Sequence, residues 1–115
     1  MTEKDDLFFL EHILESIKDI ESFTNHILKE DLNKNKEKLN AIIRSVEVIG
    51  EAVRNISFSL KEQNSEIPWK KIIGTRDMLI HHYFGIDVEA LWKIINEDIP
   101  ELKIQIIKIK EYLMK

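Results

Sequence analysis

The stretch Gly74-Thr75-Arg76-Asp77-Met78-Leu79-Ile80-His81-His82-Tyr83 carries a guanidinium, two imidazoles and a phenol within a few residues of one another. Those groups suit transesterification of RNA. An imidazole with a near-neutral pKa can take the proton of a ribose 2′-hydroxyl or return one to the leaving oxygen. The forked donors of Arg76 can hold two phosphoryl oxygens and stabilise the charge that builds in the transition state. Tyr83 can donate a hydrogen bond to the phosphate, but a phenol of pKa about 10 is a poor base. One imidazole does not easily serve as both base and acid, whereas a two-fold dimer would bring two copies of Arg76 and His81 to one cleft. No metal or other cofactor is required by this chemistry.

Plainer readings of the same residues stand beside it. Arg76 and His81 also fit ordinary surface or a satisfied core histidine, and Tyr83 and Phe84 fit core aromatics. Adjacent His81 and His82 suggest a metal, but neighbours on a helix point about 100° apart, and neither cysteine nor well-spaced carboxylates support them. His12 and His26 lie on one expected helix nearly four turns, about 21 Å, apart and read as surface. Trp69 and Trp92 read as packing anchors rather than base-stacking platforms.

The elements that must position the motif are helical. Leu7, Leu10, Ile13, Leu14, Ile17, Ile20, Phe23, Ile27 and Leu28 recur at three- and four-residue steps, predicting one long helix that opens near Asp5 or Asp6. The Asn- and Lys-rich stretch from Glu30 to Lys38 reads as the following turn. A second long helix has Leu39, Ile42, Ile43, Val46, Ile49, Val53 and Ile56 as its buried stripe, with Arg44, Glu47, Glu51 and Arg54 outside it. Gly50 interrupts that helix and predicts close approach of a neighbour.

After the loop 63–66, Pro68 suits a first helical turn, and Trp69 to Ile73 reads as a short helix closed by Gly74. Thr75 then caps a new helix whose first turns carry Arg76 to Tyr83, so the motif is expected at a helix N-terminus, with His81 about 7.5 Å along the axis from Arg76. Gly85 ends it, Asp87 caps the next helix through Ile95, and Pro100 starts a last one. No strand-period segment competes. The expectation is all-α: an antiparallel helical bundle with two long helices and several shorter ones, one domain over 1–115. Ile104, Ile107 and Tyr112 widen the apolar face of the last helix, which a homodimer would cover.

The 115 residues include no cysteine, so a disulfide framework, a thiolate site and a cysteine nucleophile are excluded. The polar, acidic start lacks signal-peptide order and no apolar run is long enough to span a membrane, so a cytoplasmic protein is expected. The net charge of −4 disfavours a general nucleic-acid coat, though Lys70, Lys71 and the motif itself can form a local basic patch. Arginine occurs only at 44, 54 and 76 among 17 basic residues, which marks these as places where a planar fork is wanted over lysine.

Along nearly its whole length the chain resembles the HepT-like branch of the HEPN superfamily. The landmarks are the first helix near Asp5, Phe23-Thr24, Arg44 to Ala52 ending Ile49-Gly50-Glu51-Ala52, Ile67-Pro68-Trp69 before Gly74-Thr75-Arg76, and then Asp87 and Trp92. The branch signature of Arg, four residues, His, one residue, Tyr reads here Arg76, His81, Tyr83. The resemblance implies a HEPN-like two-fold homodimer and metal-independent endoribonuclease activity, with Arg76 and His81 catalytic. It also implies the toxin half of a toxin-antitoxin pair, whose partner, a minimal nucleotidyltransferase antitoxin, inactivates it by transferring AMP to Tyr83. Supporting roles fall to Asp77 and His82. Where such proteins often carry Asn, this chain has Asp77, whose carboxylate either orients Arg76 or partly neutralises it. The competing reading is a non-catalytic helical subunit that docks to the nucleotidyltransferase.

Overall fold

The structure is a computed structural model that describes residues 3–81 and 85–115, with side chains described over 5–79 and 85–115. It is built on two long helices, α1 (Glu3–Thr24) and α2 (Lys36–Asn55). Leu10, Ile13, Ile17 and Ile20 of α1 are buried to 1% exposure or less against Ile42, Ile49 and Val53 of α2. Apolar area buried in this seam stabilises the fold by about 25 cal/mol per Å², and α1 and α2 pack against each other more extensively than any other pair of elements.

Asp6 does not open α1 as expected. It is buried within the helix, and its carboxylate accepts from the backbone N–H of Ser57 at 2.8 Å and the Ser57 hydroxyl at 2.6 Å. Because Ser57 follows the end of α2, this contact ties the start of α1 to the end of α2 and fixes the two helices antiparallel. Ser57 also caps α3 (Phe58–Gln63), a helix that the periodicity did not reveal.

Two boundaries differ from the sequence expectation. The first helix stops at Thr24, four residues short of Leu28, and His26 takes a left-handed φ of 62°. The Thr24 hydroxyl donates back to the Ile20 carbonyl at 2.8 Å, a side-chain bond that competes with helix continuation. Leu28 is exposed, its backbone N–H donating to Asp31 of the 3₁₀ turn Lys29–Asn33. That hydrogen bond holds the Asp31 carboxyl below its ordinary range. The expected Glu30–Lys38 turn therefore contains a 3₁₀ segment and the first turn of α2, which Asn35 caps by accepting from Lys38 N–H.

The second difference bears on the site. Gly74 does not close a short helix; α4 runs unbroken from Trp69 to Leu79, and Thr75 donates its hydroxyl back to the Lys71 carbonyl instead of capping. Trp69 anchors the start of α4 as expected: it is buried and its indole N–H points at the carbonyls of Lys61 and Asn64. Gly50 of α2 lies against α4 as expected, with the carbonyls of Ile72 and Ile73 at 3.5 Å from where a Cβ would stand. Gly74 has nothing within 4 Å of that position and is exposed in the helix interior. Gly74→Ala should therefore stabilise the chain by about 1 kcal/mol, read as a raised urea midpoint. A helix-closing left-handed glycine would give the opposite sign.

Directly after α4, Ile80 and His81 are extended. Strands β1 (Ile80–His81) and β2 (Gly85–Ile86) pair antiparallel, Ile80 opposite Ile86 and His81 opposite Gly85, so among the described residues the fold is all-α apart from this two-residue ladder. Gly85 has φ 83°, a left-handed conformation that glycine adopts without steric cost. It thus serves a strand pairing rather than a helix end.

Asp87 caps α5 (Val88–Lys93) by accepting from Ala90 N–H, as expected. The chain then stays helical through a π-turn (Ile94–Asp98) into α6 (Ile99–Leu113), where the sequence suggested a break. Pro100 explains the π-turn: it has no N–H and its ring crowds the carbonyl one turn back, and widening that turn accommodates both. Among the described residues no helix is long and apolar enough to cross a membrane. Ile104 and Tyr112 of α6 are exposed.

Candidate active site

Arg76 stands in the last turn of α4, at the opposite end of a helix from where the sequence reading put it. The partial charge there is negative, which favours the guanidinium but supplies none of the N-terminal positive potential expected for phosphate binding. An anion at this position would have to be held by side chains. His81 follows in β1 rather than on the same helix, its backbone opposite Gly85. The expected helical offset between Arg76 and His81 is therefore replaced by a helix-to-strand turn. His82 and Tyr83, with the expectations placed on them, lie outside the described residues.

The side chain of Arg76 is half exposed and engages two carboxylates. Its Nε lies 3.4 Å from Glu47 Oε1, and Nη1 lies 3.5 Å from Asp77 Oδ1. The second oxygen of Glu47 lies 3.8 Å from Arg44 Nη1. Glu47 thus stands between two guanidiniums and is the less exposed partner of both. Asp77 is far more exposed, so it is the weaker of the two restraints on Arg76. Sequence reading placed Glu47 outside the buried stripe and gave it no role. The spacing Arg44-x-x-Glu47 indicated a helix pair, but nothing local in the sequence indicated that Arg76 would approach the same carboxylate from another helix.

These groups line one wall of a groove of about 540 Å³ that runs along α2, flanked by α1 and α4. All three arginines of the chain line it, together with Phe8 and His12 of α1. Arg54 pairs with Glu51 at 3.7 Å. The Arg54–Glu51 pair is an exposed i, i+3 contact of a kind worth about 0 to 1 kcal/mol, so a phosphate can replace the carboxylate as partner. Of the expected basic patch, Lys71 lies 3.9 Å from Asp98. His12 and His26 are both exposed, as expected, but His12 belongs to the groove.

The arrangement offers a cluster of planar cationic forks held by carboxylates, with His81 following Arg76 by five residues. The model of the family described as Ribonuclease HepT-like matches residues 13–109, a span that includes Arg44, Glu47, Arg76 and His81. A protein of Thermococcus cleftensis named "Probable ribonuclease HepT" is 50% identical over 95 residues, covering 83% of this chain and 86% of that one. "Putative RNase MJ1380" of Methanocaldococcus jannaschii is 45% identical over 103 residues, covering 90% and 94%. A longer protein of the same organism, "Gamma-glutamylcyclotransferase and putative RNase MJ0434", is 43% identical over 112 residues. The chain there spans only half the relative's length, 50%, against 97% of its own. No solved structure matches the chain.

Proposed function

Because the chain belongs to the Ribonuclease HepT-like family, we propose that it is a metal-independent endoribonuclease with Arg76 and His81 as its catalytic residues. The observation that carries this reading is the family match across the Arg76–His81 segment, joined to the placement of Arg76 at a groove that gathers every arginine of the chain. In the reaction a ribose 2′-oxygen attacks the adjacent phosphorus and the bond from phosphorus to the 5′-oxygen breaks. A base takes the 2′-hydroxyl proton and an acid returns one to the 5′-oxygen, leaving a 2′,3′-cyclic phosphate. His81 serves as one of these groups and a second copy of His81, across a two-fold dimer, as the other. Arg76 holds the phosphoryl oxygens through its Nη donors while Nε faces Glu47.

The chain acts as the toxin of a pair with a minimal nucleotidyltransferase. In the inactivating step the Tyr83 phenol oxygen attacks the α-phosphorus of ATP, pyrophosphate leaves, and the phenolic proton passes to a base. The AMP so attached brings a phosphate that competes for Arg76 and an adenosine that fills the cleft.

The test is incubation of purified, unmodified protein with mixed cellular RNA in excess chelator, beside His81→Ala, with analysis of the RNA ends. Cleavage by the wild type alone, leaving 2′,3′-cyclic phosphate, is the expected result. Intact RNA with a correctly folded chain overturns it and leaves the non-catalytic docking subunit as the reading.

A further inference from the structure

The groove has a second end that the reaction above does not use. The Asp6–Ser57 contact sets the register of α1 against α2 and puts Phe8 and His12 beside the last turns of α2, where Arg54 stands. Phe8 is 54% exposed although it lines the groove, and its ring lies 4.4 Å from that of His12, tilted by 43°. Phe9 meets Phe8 at nearly right angles, ring centroids 5.2 Å apart, so the exposed ring is braced by two aromatic neighbours. Arg54 lies seven residues from Glu47 on α2, about 10 Å along the helix axis, with Arg76 at the Glu47 end.

From this placement we propose that Phe8, His12 and Arg54 form a nucleotide subsite for single-stranded RNA, next to the nucleotide whose phosphate Arg76 holds. Phe8 stacks on a base and Arg54 exchanges Glu51 for a backbone phosphate. Three features favour this occupant over a protein. A braced, exposed aromatic ring is what sequence-tolerant base stacking uses. The groove takes its cations as arginines, although 14 of the 17 basic residues of the chain are lysines. Its Arg54–Glu51 pair is exposed and open to exchange. The assignment of the occupant as RNA rests on the ribonuclease reading; the subsite itself rests on the groove.

The test uses a labelled, short 2′-O-methyl oligoribonucleotide, which lacks the attacking hydroxyl and cannot be cut, titrated by fluorescence anisotropy over a salt series. Phe8→Ala is expected to weaken binding about tenfold with the salt slope unchanged, as loss of stacking requires. Arg54→Gln is expected to lower the slope by about one, the signature of one lost phosphate contact. Phe58→Ala, which removes an aromatic ring of 77% exposure outside the groove, should bind as wild type. The subsite is overturned if the wild type fails to bind, if both groove variants bind like it, or if Phe8→Ala instead converts a dimer to a monomer in ultracentrifugation. Wild type that binds with these sensitivities but leaves cellular RNA intact overturns the nuclease reading alone. Wild type that cuts RNA with Phe8→Ala unchanged in KM overturns the subsite alone.

Discussion

Arg76→Ala is expected to lower the single-turnover rate of RNA cleavage by two to three orders of magnitude, about the loss seen when one preorganised donor to a developing oxyanion is removed. Arg76→Lys should recover only a small part. Lysine keeps the charge, but one ammonium cannot face Glu47 and still present a planar pair of donors to a phosphate. Glu47 is a positioning residue in this scheme, and Glu47→Gln separates position from charge. The amide keeps the shape while losing the attraction for Nε of Arg76, 3.4 Å away, and for Arg44. Removing a carboxylate from the groove also favours RNA electrostatically. The expected result is therefore a fall in kcat of about tenfold with KM unchanged or lower, a split that simple unfolding does not produce. Partial rescue by Glu47→Asp supports the same role. If Arg76→Ala cuts RNA within about threefold of wild type, Arg76 does not hold the reacting phosphate.

How much of this was legible in the sequence differs by element. The long α1 and α2 were, because their apolar residues repeat at the helical period over several turns and the seam they form belongs to the core. The stripe residues Ile42, Ile49 and Val53 are buried and Arg44 and Arg54 are exposed, as the pattern requires. The end of α4 was misread because Gly74-Thr75 has the composition of a helix end followed by a cap. Helical hydrogen bonding continues through it once Trp69 and Leu79 are buried at either end. Tertiary packing outweighs a local preference worth about 1 kcal/mol. The two-residue strands lie below the length at which alternation can be seen. The contact between Asp6 and Ser57 spans 51 residues and has no local signature. The motif's chemistry was legible in its residue types, whereas the geometry through Glu47 needed three dimensions.

Leu79→Ala should cost about 3 kcal/mol, the largest stability loss expected among the described side chains of the motif. Leu79 is fully buried at the last position of α4, and its removed side-chain atoms leave a cavity where the helix meets the core. Its carbonyl also accepts the Asp87 N–H at 2.8 Å, extending the Ile80–Ile86 pairing by one bond. Leu79 thus ends the helix that carries Arg76 and directly precedes the strand that carries His81. In urea the midpoint should fall with the slope unchanged, since the surface exposed on unfolding is nearly the same. The neighbouring Met78→Ala, at a 45% exposed position, should shift stability by no more than about 0.5 kcal/mol. Under conditions where Leu79→Ala remains folded, cleavage should still fall if the proposed roles of Arg76 and His81 hold, because Leu79 seats the turn between the helix of Arg76 and the strand of His81. A loss below about 1 kcal/mol, or full activity in the folded variant, would mean that Leu79 does not set the spacing between Arg76 and His81.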